Sequence, residues 1–190
     1  MILINKLRTN KGENRAEFEA KVRNICRLLS INPDWLMMVM FMESSLDAQK
    51  VNKQPGDPDD DLTRSEKRAT GLIQFMPDTA RSLGTSTKEL YKMNALEQLN
   101  FVYQYFKKYT GRIKSFHDLY LVTFFPAAMG KPDDFVFRTS KIPASAIAKQ
   151  NSALDFNKDG HITVGEFKEY LLKRVPSALV KFIMEKKMPA

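Results

Sequence analysis

Oxygen-bearing side chains recur at a fixed spacing near the C-terminal end of the chain. Asp155, Asn157 and Asp159 alternate with other residues, and Glu166 closes the stretch. Carboxylate and amide oxygens are the ligands that hard cations such as calcium prefer. Gly160 permits the sharp turn that a chain wrapped around one ion requires. The spacing therefore predicts a calcium-binding loop.

The pattern resembles the calcium loop of EF-hand proteins. The resemblance implies that His161 offers its backbone carbonyl, that Thr163 offers its hydroxyl or a bridging water, and that Glu166 binds through both carboxylate oxygens. Ile162 occupies the position of the apolar anchor. A polar turn without metal is the alternative. The sequence contains no second loop of this pattern, so a paired calcium sensor is not expected.

Glu43 directly follows an apolar run from Trp35 to Met42. Apolar surroundings disfavour the charged form of a carboxyl group. A helix predicted over 33–45 would also place Glu43 near a helix C-terminus, where the dipole adds negative potential. Both effects favour a carboxyl that keeps its proton near neutral pH, as a general acid must. The alternatives are a solvated helix-end residue and a partner for a nearby arginine.

A second segment, over residues 69–80, combines a glycine, an amide and a proline with apolar neighbours. Gly71 permits close approach of the backbone to a ligand or to another segment. Gln74 stands among apolar residues, so its amide needs hydrogen-bond partners. Pro77 suits the first turn of a helix. Taken alone, the segment predicts a buried loop that leads into a helix.

Together the two segments resemble the soluble lytic transglycosylase (SLT) family, which is related to goose-type lysozymes. The family pattern is an apolar helix that ends in Glu-Ser, followed by Gly-x-x-Gln-x-x-Pro-x-Thr-Ala. Here Glu-Ser-Ser occupies 43–45, and Gly-Leu-Ile-Gln-Phe-Met-Pro-Asp-Thr-Ala occupies 71–80. The resemblance covers roughly residues 20–130. It implies a mainly α, lysozyme-like fold with a glycan groove, and peptidoglycan as the substrate.

The resemblance also implies roles for single residues. Glu43 matches the acid/base that protonates the bridging oxygen between N-acetylmuramic acid and N-acetylglucosamine. It then takes a proton from the muramyl 6-hydroxyl, so that a 1,6-anhydro ring closes. Ser44 or Ser45 and Gln74 match positions that hold the substrate or the acid, and Gly71 lies at the point of close approach. Capping of the helix end is the alternative for the serines.

Hydrolysis of the same bond, as in a muramidase, is the first alternative activity. Ordinary glycosidases use two carboxyl groups, and Asp47, Asp57 and Asp59–Asp61 follow Glu43 in the chain. A solvated acidic loop is the simpler interpretation of these residues. Lytic transglycosylases resemble the exceptions, in which the N-acetyl group of the substrate takes part.

One segment departs from the family pattern. The family usually has Ala-Tyr-Asn-Ala-Gly on a later helix, whereas residues 123–130 read Thr-Phe-Phe-Pro-Ala-Ala-Met-Gly. Phe125 and Pro126 thus replace the Tyr-Asn pair, and Phe125 becomes the predicted substrate-contacting residue. Tyr120 could supply the missing phenol, although a core position is the simpler interpretation. The departure motivates a further alternative, a catalytically inactive module that binds the cell wall.

Composition limits the other classes of function. The net charge of +8 favours acidic partners such as nucleic acid, anionic membranes or acidic glycans. A basic nucleic-acid binder is a third hypothesis, but no motif supports it and we expect no nucleic-acid partner. No apolar run reaches the ~18 residues of a membrane span. The single cysteine, Cys26, lies on the apolar face of a predicted helix and is expected to be buried.

The N-terminal residues lack the long apolar region and cleavage site of a signal peptide. We therefore expect an enzyme of the periplasm or the extracellular wall that is carried by a phage particle, secreted by a non-classical route or released on lysis. An inhibitor or immunity protein is a conceivable partner, but the sequence does not indicate one.

Hydrophobic periodicity predicts helices over most of the chain. The predicted ranges are 14–29, 33–45, 77–83, 87–92, 94–109, 115–129 and 164–174, with a short extended piece at 135–137 and a last short helix from Pro176. The predicted architecture is a lysozyme-like helical domain over 1–150 and an EF-hand segment with a terminal helix over 151–190.

Overall fold

The computed structural model describes residues 1–53 and 67–185, which are mainly helical. Nine α-helices lie within these residues: α1 Arg15–Leu29, α2 Pro33–Ser44, α3 Pro77–Ser82, α4 Thr87–Lys92, α5 Ala95–Lys107, α6 Phe116–Phe124, α7 Ala144–Gln150, α8 Val164–Arg174 and α9 Val180–Met184. The β pairing in this part of the chain is limited to isolated bridges. The predicted acidic loop with Asp57 and Asp59–Asp61 lies outside the described residues.

Side-chain caps begin the first two helices where the sequence predicts them. The Asn14 side chain accepts hydrogen bonds from the N–H groups of Ala16 and Glu17, and the Asn32 side chain accepts one from the N–H of Asp34. Each cap satisfies backbone donors that the first helical turn leaves unpaired. The observed bounds of α1 and α2 agree with the predicted ranges to within one residue.

Helix α2 is the buried centre of the N-terminal part of the chain. The side chains from Trp35 to Met40 are each no more than 3% exposed. A helix that is apolar on all sides has no face suited to water, which explains this burial. Cys26 on α1 is also buried, as predicted. Burial raises the pKa of its thiol, so a reactive thiolate is not expected.

Helix α6 is shorter than predicted. The pattern predicts a helix over 115–129, but α6 ends at Phe124 and Pro126 opens a short 3-10 turn. Proline lacks an N–H group and disfavours the helical conformation at the preceding residue. Helix α7 was not predicted because it is short and buries only two side chains, Ile147 and Ala148.

The chain divides into two compact units, one within Met1–Arg112 and one within Ile113–Lys186. This division differs from the predicted boundary after residue 150. The predicted boundary separates a lysozyme-like helical domain over 1–150 from the calcium module over 151–190, and it stays a prediction.

An aromatic cluster forms the centre of the second unit. The Phe137 ring stacks on Phe125 with 4.7 Å between centroids and lies 5.7 Å from the Phe167 ring. Phe124 stacks on Phe167 at 5.1 Å, and Tyr120 meets Phe167 edge-on at 6.0 Å. Such ring pairs add to the stability that their burial supplies. The cluster therefore joins the end of α6, the segment around Phe137 and helix α8.

No single helix among the described residues is both long and apolar enough to cross a bilayer. Helices α1 and α2 meet that criterion only as a pair, and the pair is bent by 114°.

Candidate active site

Glu43 lies in the last turn of α2, one residue before the helix ends at Ser44. Its side chain is partly buried, next to the buried surface of the same helix. The backbone then takes the left-handed conformation at Ser45 and Leu46, with φ of 57° and 58°. Glu43 therefore lies at the negative end of the α2 helix dipole.

Ser44 joins the end of α2 to the segment that contains Gly71. Its buried hydroxyl lies 2.9 Å from the Met40 carbonyl oxygen and 3.0 Å from the Leu72 carbonyl oxygen. The first contact holds the last helical turn, and the second ties that turn to residues far along the chain. These contacts are those of a residue at a helix end, and the role of Ser44 in holding the substrate or the acid stays a prediction.

Gly71 approaches another segment closely, as predicted, and that segment is α5. It has a φ of +85°, and a Cβ atom at this position would lie 2.3 Å from Oε1 of Gln98. Gln98 is fully buried. Its Oε1 accepts a hydrogen bond from the Leu72 N–H at 2.9 Å, and its Nε2 donates to the Ala48 and Leu90 carbonyls at 2.6 and 2.7 Å. The amide of Gln98 thereby fixes the turn beside the acid.

Gln74 also stabilises the turn that contains Gly71. Its φ of 52° is in the left-handed region, which is uncommon for residues other than glycine. Its Nε2 donates to the Lys50 and Gly71 carbonyl oxygens at 3.2 and 3.1 Å. Thr70 and Phe75 exchange two backbone hydrogen bonds across the turn. The side chain that the sequence assigns to the substrate or the acid thus also holds the loop together.

Tyr105 on α5 is a site residue that the sequence analysis missed. Burial is the main cause that raises the pKa of its phenol to about 12, and the charges of Tyr109 and Glu43 contribute to the same shift. Glu43 is therefore one of the charged groups that act on the Tyr105 phenol. The Tyr105 ring also meets Phe75 edge-on at 6.3 Å. Tyr105 directly precedes Phe106 in a buried helical pattern, and the local sequence does not indicate that it interacts with Glu43.

Ser45 has different surroundings from Ser44. It is exposed and lines a cavity of about 620 Å³ together with Phe41 and residues of the N-terminal segment. Its predicted role as a substrate-binding residue stays a prediction.

Residues 27–122 match the family model described as Transglycosylase SLT domain. The matched range covers half of the chain and includes Glu43, Gly71, Gln74 and Tyr105. The chain belongs to the SLT family. Membership indicates peptidoglycan as substrate and lytic transglycosylase activity. No curated protein and no solved structure matches the chain at a significant level.

The segment that departs from the SLT pattern lies beyond the matched residues, which end at 122. Phe125 follows the end of α6, and its ring stacks on Phe137. Tyr120 is buried and contacts Phe116 and Phe167, which is the core position that the sequence analysis preferred. The role of Phe125 at the substrate stays a prediction.

The backbone of the candidate calcium loop wraps around the first ligand position. The carboxylate of Asp155 accepts hydrogen bonds from the N–H groups of Asp159 and Gly160 at 3.2 and 3.0 Å. The N–H of Asp159 also lies 3.0 Å from Oδ1 of Asn157. Gly160 has a φ of +81°, a conformation that favours glycine where the chain turns.

The last residues of this loop form the first turn of helix α8. The Glu166 N–H donates to the Thr163 hydroxyl, and Oε2 of Glu166 accepts the Thr163 N–H at 2.9 Å, which forms a capping box. The Phe137 N–H donates to the Ile162 carbonyl at 2.8 Å. The short extended piece predicted around Phe137 is therefore present as a bridge partner of the loop.

Calcium binding by the loop depends on the oxygen atoms that its side chains offer to the ion. Among residues 1–53 and 67–185, no three His, Cys, Asp or Glu side chains are gathered into a metal-binding cluster. The loop nevertheless offers the oxygen atoms that a hard cation takes, and a carboxylate oxygen that accepts one N–H keeps a second lone pair. A hydrogen bond from the His161 backbone N–H lowers the pKa of Asp159, which favours its charged form. The residues fit calcium chemically, and calcium binding stays a prediction.

Proposed function

We propose that this SLT protein is a lytic transglycosylase that cleaves the β-1,4 bond between N-acetylmuramic acid and N-acetylglucosamine with Glu43 as its single acid/base. The observation that carries the proposal is the link between the two family motifs. The Ser44 hydroxyl, next to Glu43, lies 3.0 Å from the carbonyl oxygen of Leu72 in the Gly71 turn. A family match that spans both motifs supports the assignment.

Glu43 would act twice in one turnover. As an acid it gives its proton to the bridging oxygen while the bond from that oxygen to the muramyl C1 breaks. The muramyl 6-hydroxyl oxygen then forms a bond to C1, and the carboxylate takes the hydroxyl proton. Each cycle therefore returns Glu43 to its protonated form and consumes no water. A muramidase would instead deliver the oxygen of a water molecule to C1.

Tyr105 supports Glu43 in this proposal. A phenol with a pKa of about 12 keeps its proton throughout the neutral range and can donate a hydrogen bond to a carboxylate. It thus offers a phenol near the acid in a chain that has Phe125 and Pro126 in place of the Tyr-Asn pair of the family.

The products of purified peptidoglycan test this proposal by mass spectrometry. We expect muropeptides that end in 1,6-anhydro-muramic acid, because the attacking oxygen belongs to the substrate. Products heavier by one water would identify a hydrolytic muramidase. Binding to the insoluble wall without any released fragment would identify the third alternative, a catalytically inactive wall-binding module.

We also propose that the loop over 155–166 holds one Ca²⁺ ion. Side-chain oxygens of Asp155, Asn157 and Asp159 would bind it, together with the His161 carbonyl, Thr163 and Glu166. The bound ion would neutralise the carboxylates of the loop and stabilise its packing on the aromatic cluster of the second unit. It takes no part in the sugar chemistry.

The substrate defines where the enzyme acts. Peptidoglycan lies outside the cytoplasmic membrane, so an extracytoplasmic site of action follows from membership in the SLT family. Transport by a phage particle, by a non-classical route or by lysis stays a prediction.

A further inference from the structure

A cationic cavity lies beside the C-terminal end of α2. Its volume is about 620 Å³, and Phe41 and Ser45 line it on the α2 side. On the other side the N-terminal segment contributes Lys6 and Arg8, and the start of α1 contributes Arg15. Three positive charges thus border one cavity, and side chains of asparagine and threonine from the same segment add polar groups to its wall.

Buried contacts hold the N-terminal segment in place. The Arg8 N–H donates to the Leu46 carbonyl oxygen at 3.1 Å, and the Leu7 side chain is only 2% exposed. The Arg15 guanidinium donates to the Leu7 carbonyl oxygen at 3.3 Å. The backbone is therefore fixed before a ligand arrives, which reduces the entropy that binding must overcome.

The charges of this cavity are not neutralised within the described part of the chain. No carboxylate of residues 1–53 or 67–185 forms an ion pair with Lys6, Arg8 or Arg15. Cations held side by side repel one another, and an anion between them removes that repulsion. Guanidinium groups in addition match a carboxylate with two parallel hydrogen bonds.

The cavity is separate from the proposed acid. Phe41 lines the cavity from α2 and Ser45 lines it from the residue after the helix, whereas Glu43 follows Phe41 by two residues. At ~100° per residue, Glu43 projects about 200° around the helix from Phe41. The part of the substrate that enters the cavity would therefore be different from the bond that Glu43 cleaves.

We propose that this cavity binds a carboxylate of the peptide stems that peptidoglycan carries. The proposal rests on the proposed function, since it concerns the same substrate. Stem carboxylates are the anions that every uncleaved strand brings to the enzyme. Their capture by Lys6, Arg8 and Arg15 makes the protein prefer stem-bearing strands over bare glycan.

Two substrates and two variants test the cavity. The substrates are purified peptidoglycan strands with their stems and the same strands after an amidase has removed the stems, which leaves on each muramic acid only the lactyl carboxylate next to the sugar ring. The test variant is the double substitution Lys6→Gln with Arg8→Gln, which changes two exposed side chains and no backbone hydrogen bond. Lys149→Gln is the matched control, because Lys149 is an exposed cation on α7 that does not line the cavity.

We expect the double variant to raise KM for stem-bearing strands by about tenfold, the loss typical of a hydrogen bond to a charged group. Its kcat should not change, and its KM for stem-free strands should equal that of the wild type. Lys149→Gln should leave all these values unchanged. Thermal melting of each variant verifies that the fold is intact.

Two results would overturn the proposal: an unchanged KM of the double variant on stem-bearing strands, and an equal rise of KM on both substrates. Co-sedimentation with the same two substrates makes the comparison without turnover. A protein that releases no fragment would therefore contradict the proposed function and leave the binding test intact.

Discussion

At the scale of single residues, position rather than residue type makes Glu43 a candidate acid. The carboxyl lies partly buried in the last turn of α2, where the helix dipole opposes negative charge. The electrostatic effect of Glu43 on the Tyr105 phenol indicates that the structure brings a neutral hydrogen-bond donor within its range. An acid that must be regenerated in every cycle benefits from such a neighbour, because the phenol does not compete for the proton.

Replacement of the carboxyl by its neutral isostere should abolish the chemistry. We expect Glu43→Gln to lower the rate of fragment release by about 10²–10⁴-fold, the contribution typical of a general acid/base. The melting temperature should be kept or raised, since glutamine cannot carry the negative charge that this end of the helix disfavours.

The matched control is Glu89→Gln, which removes an exposed carboxylate that pairs with Lys92 at 2.9 Å. Its rate of release from purified peptidoglycan should equal that of the wild type. Undiminished clearing of the wall by Glu43→Gln would contradict the assignment of the acid.

At the scale of elements, the turn beside the acid depends on one buried amide. Gln98 uses its oxygen and both amide protons in hydrogen bonds to three different segments. This arrangement leaves no room for a side chain at Gly71. The turn, helix α5 and the end of α2 therefore form one connected structure, in which the position of Glu43 depends on residues remote in the sequence.

A methyl group at Gly71 tests this connection. We expect Gly71→Ala to lower the free energy of unfolding by about 2–5 kcal/mol, through the strain of a left-handed φ and the clash with Gln98. Gly84→Ala is the control, because Gly84 has a φ of +77° but no atom within 4 Å of the added carbon.

Gly84→Ala should therefore show only the backbone cost, about 1–2 kcal/mol. Urea unfolding at equilibrium measures both values. Equal losses at the two glycines would show that the close approach to Gln98 does not contribute.

The calcium loop can be tested by the thermal stability of the protein with and without metal. We expect saturating Ca²⁺ to raise the melting temperature by about 5–10 °C relative to excess chelator, through preferential binding to the folded state. Glu166→Gln should abolish this difference, because a carboxamide offers only one neutral oxygen to the ion.

Glu169→Gln is the control for the loop, since Glu169 lies on the same helix and pairs with Lys173 at 2.7 Å. It should keep the full effect of calcium. Isothermal titration calorimetry should give one calcium-binding site in the wild type. Identical melting curves in calcium and in chelator would contradict calcium binding by the loop.

At the scale of the whole molecule, stability should depend on pH through a histidine in the second unit. Burial lowers the pKa of His117, and the charge of Lys168 lowers it further, while Asp118 and Asp133 act in the opposite direction. Its Nε2 atom is buried and has no hydrogen-bond partner among the described residues. Protonation of this ring is therefore easier in the unfolded chain than in the folded one.

Below the ordinary histidine pKa of ~6.5 the unfolded state binds more protons, so stability falls with falling pH. We expect the free energy of unfolding to be highest above that pH and to decrease as the pH falls through the lowered pKa of folded His117. In His117→Gln this part of the decrease should be absent. Urea unfolding at several pH values between 5 and 8 measures the free energy of unfolding of both proteins. The same dependence of this free energy on pH in wild type and variant would contradict the prediction.

Several features of the protein follow from its local sequence. Asparagine caps and apolar periodicity predict α1 and α2 nearly to the residue, because the first turn of a helix and its buried face are encoded within a few positions. The ligand pattern from Asp155 to Glu166 is likewise local. The two motifs, Glu-Ser-Ser at 43–45 and Gly-Leu-Ile-Gln-Phe-Met-Pro-Asp-Thr-Ala at 71–80, indicate the SLT family.

Other features required the tertiary structure. Gln98, Tyr105 and the cavity at Arg8 give no signal in the sequence around them, since their significance comes from segments that fold against them. The Leu72 N–H donates to the side-chain oxygen of Gln98, a residue 26 positions away, and no local pattern can anticipate such a pairing. The sequence alone therefore determined which residue types could supply a proton or bind a metal, while packing between distant segments decided which groups surround the acid.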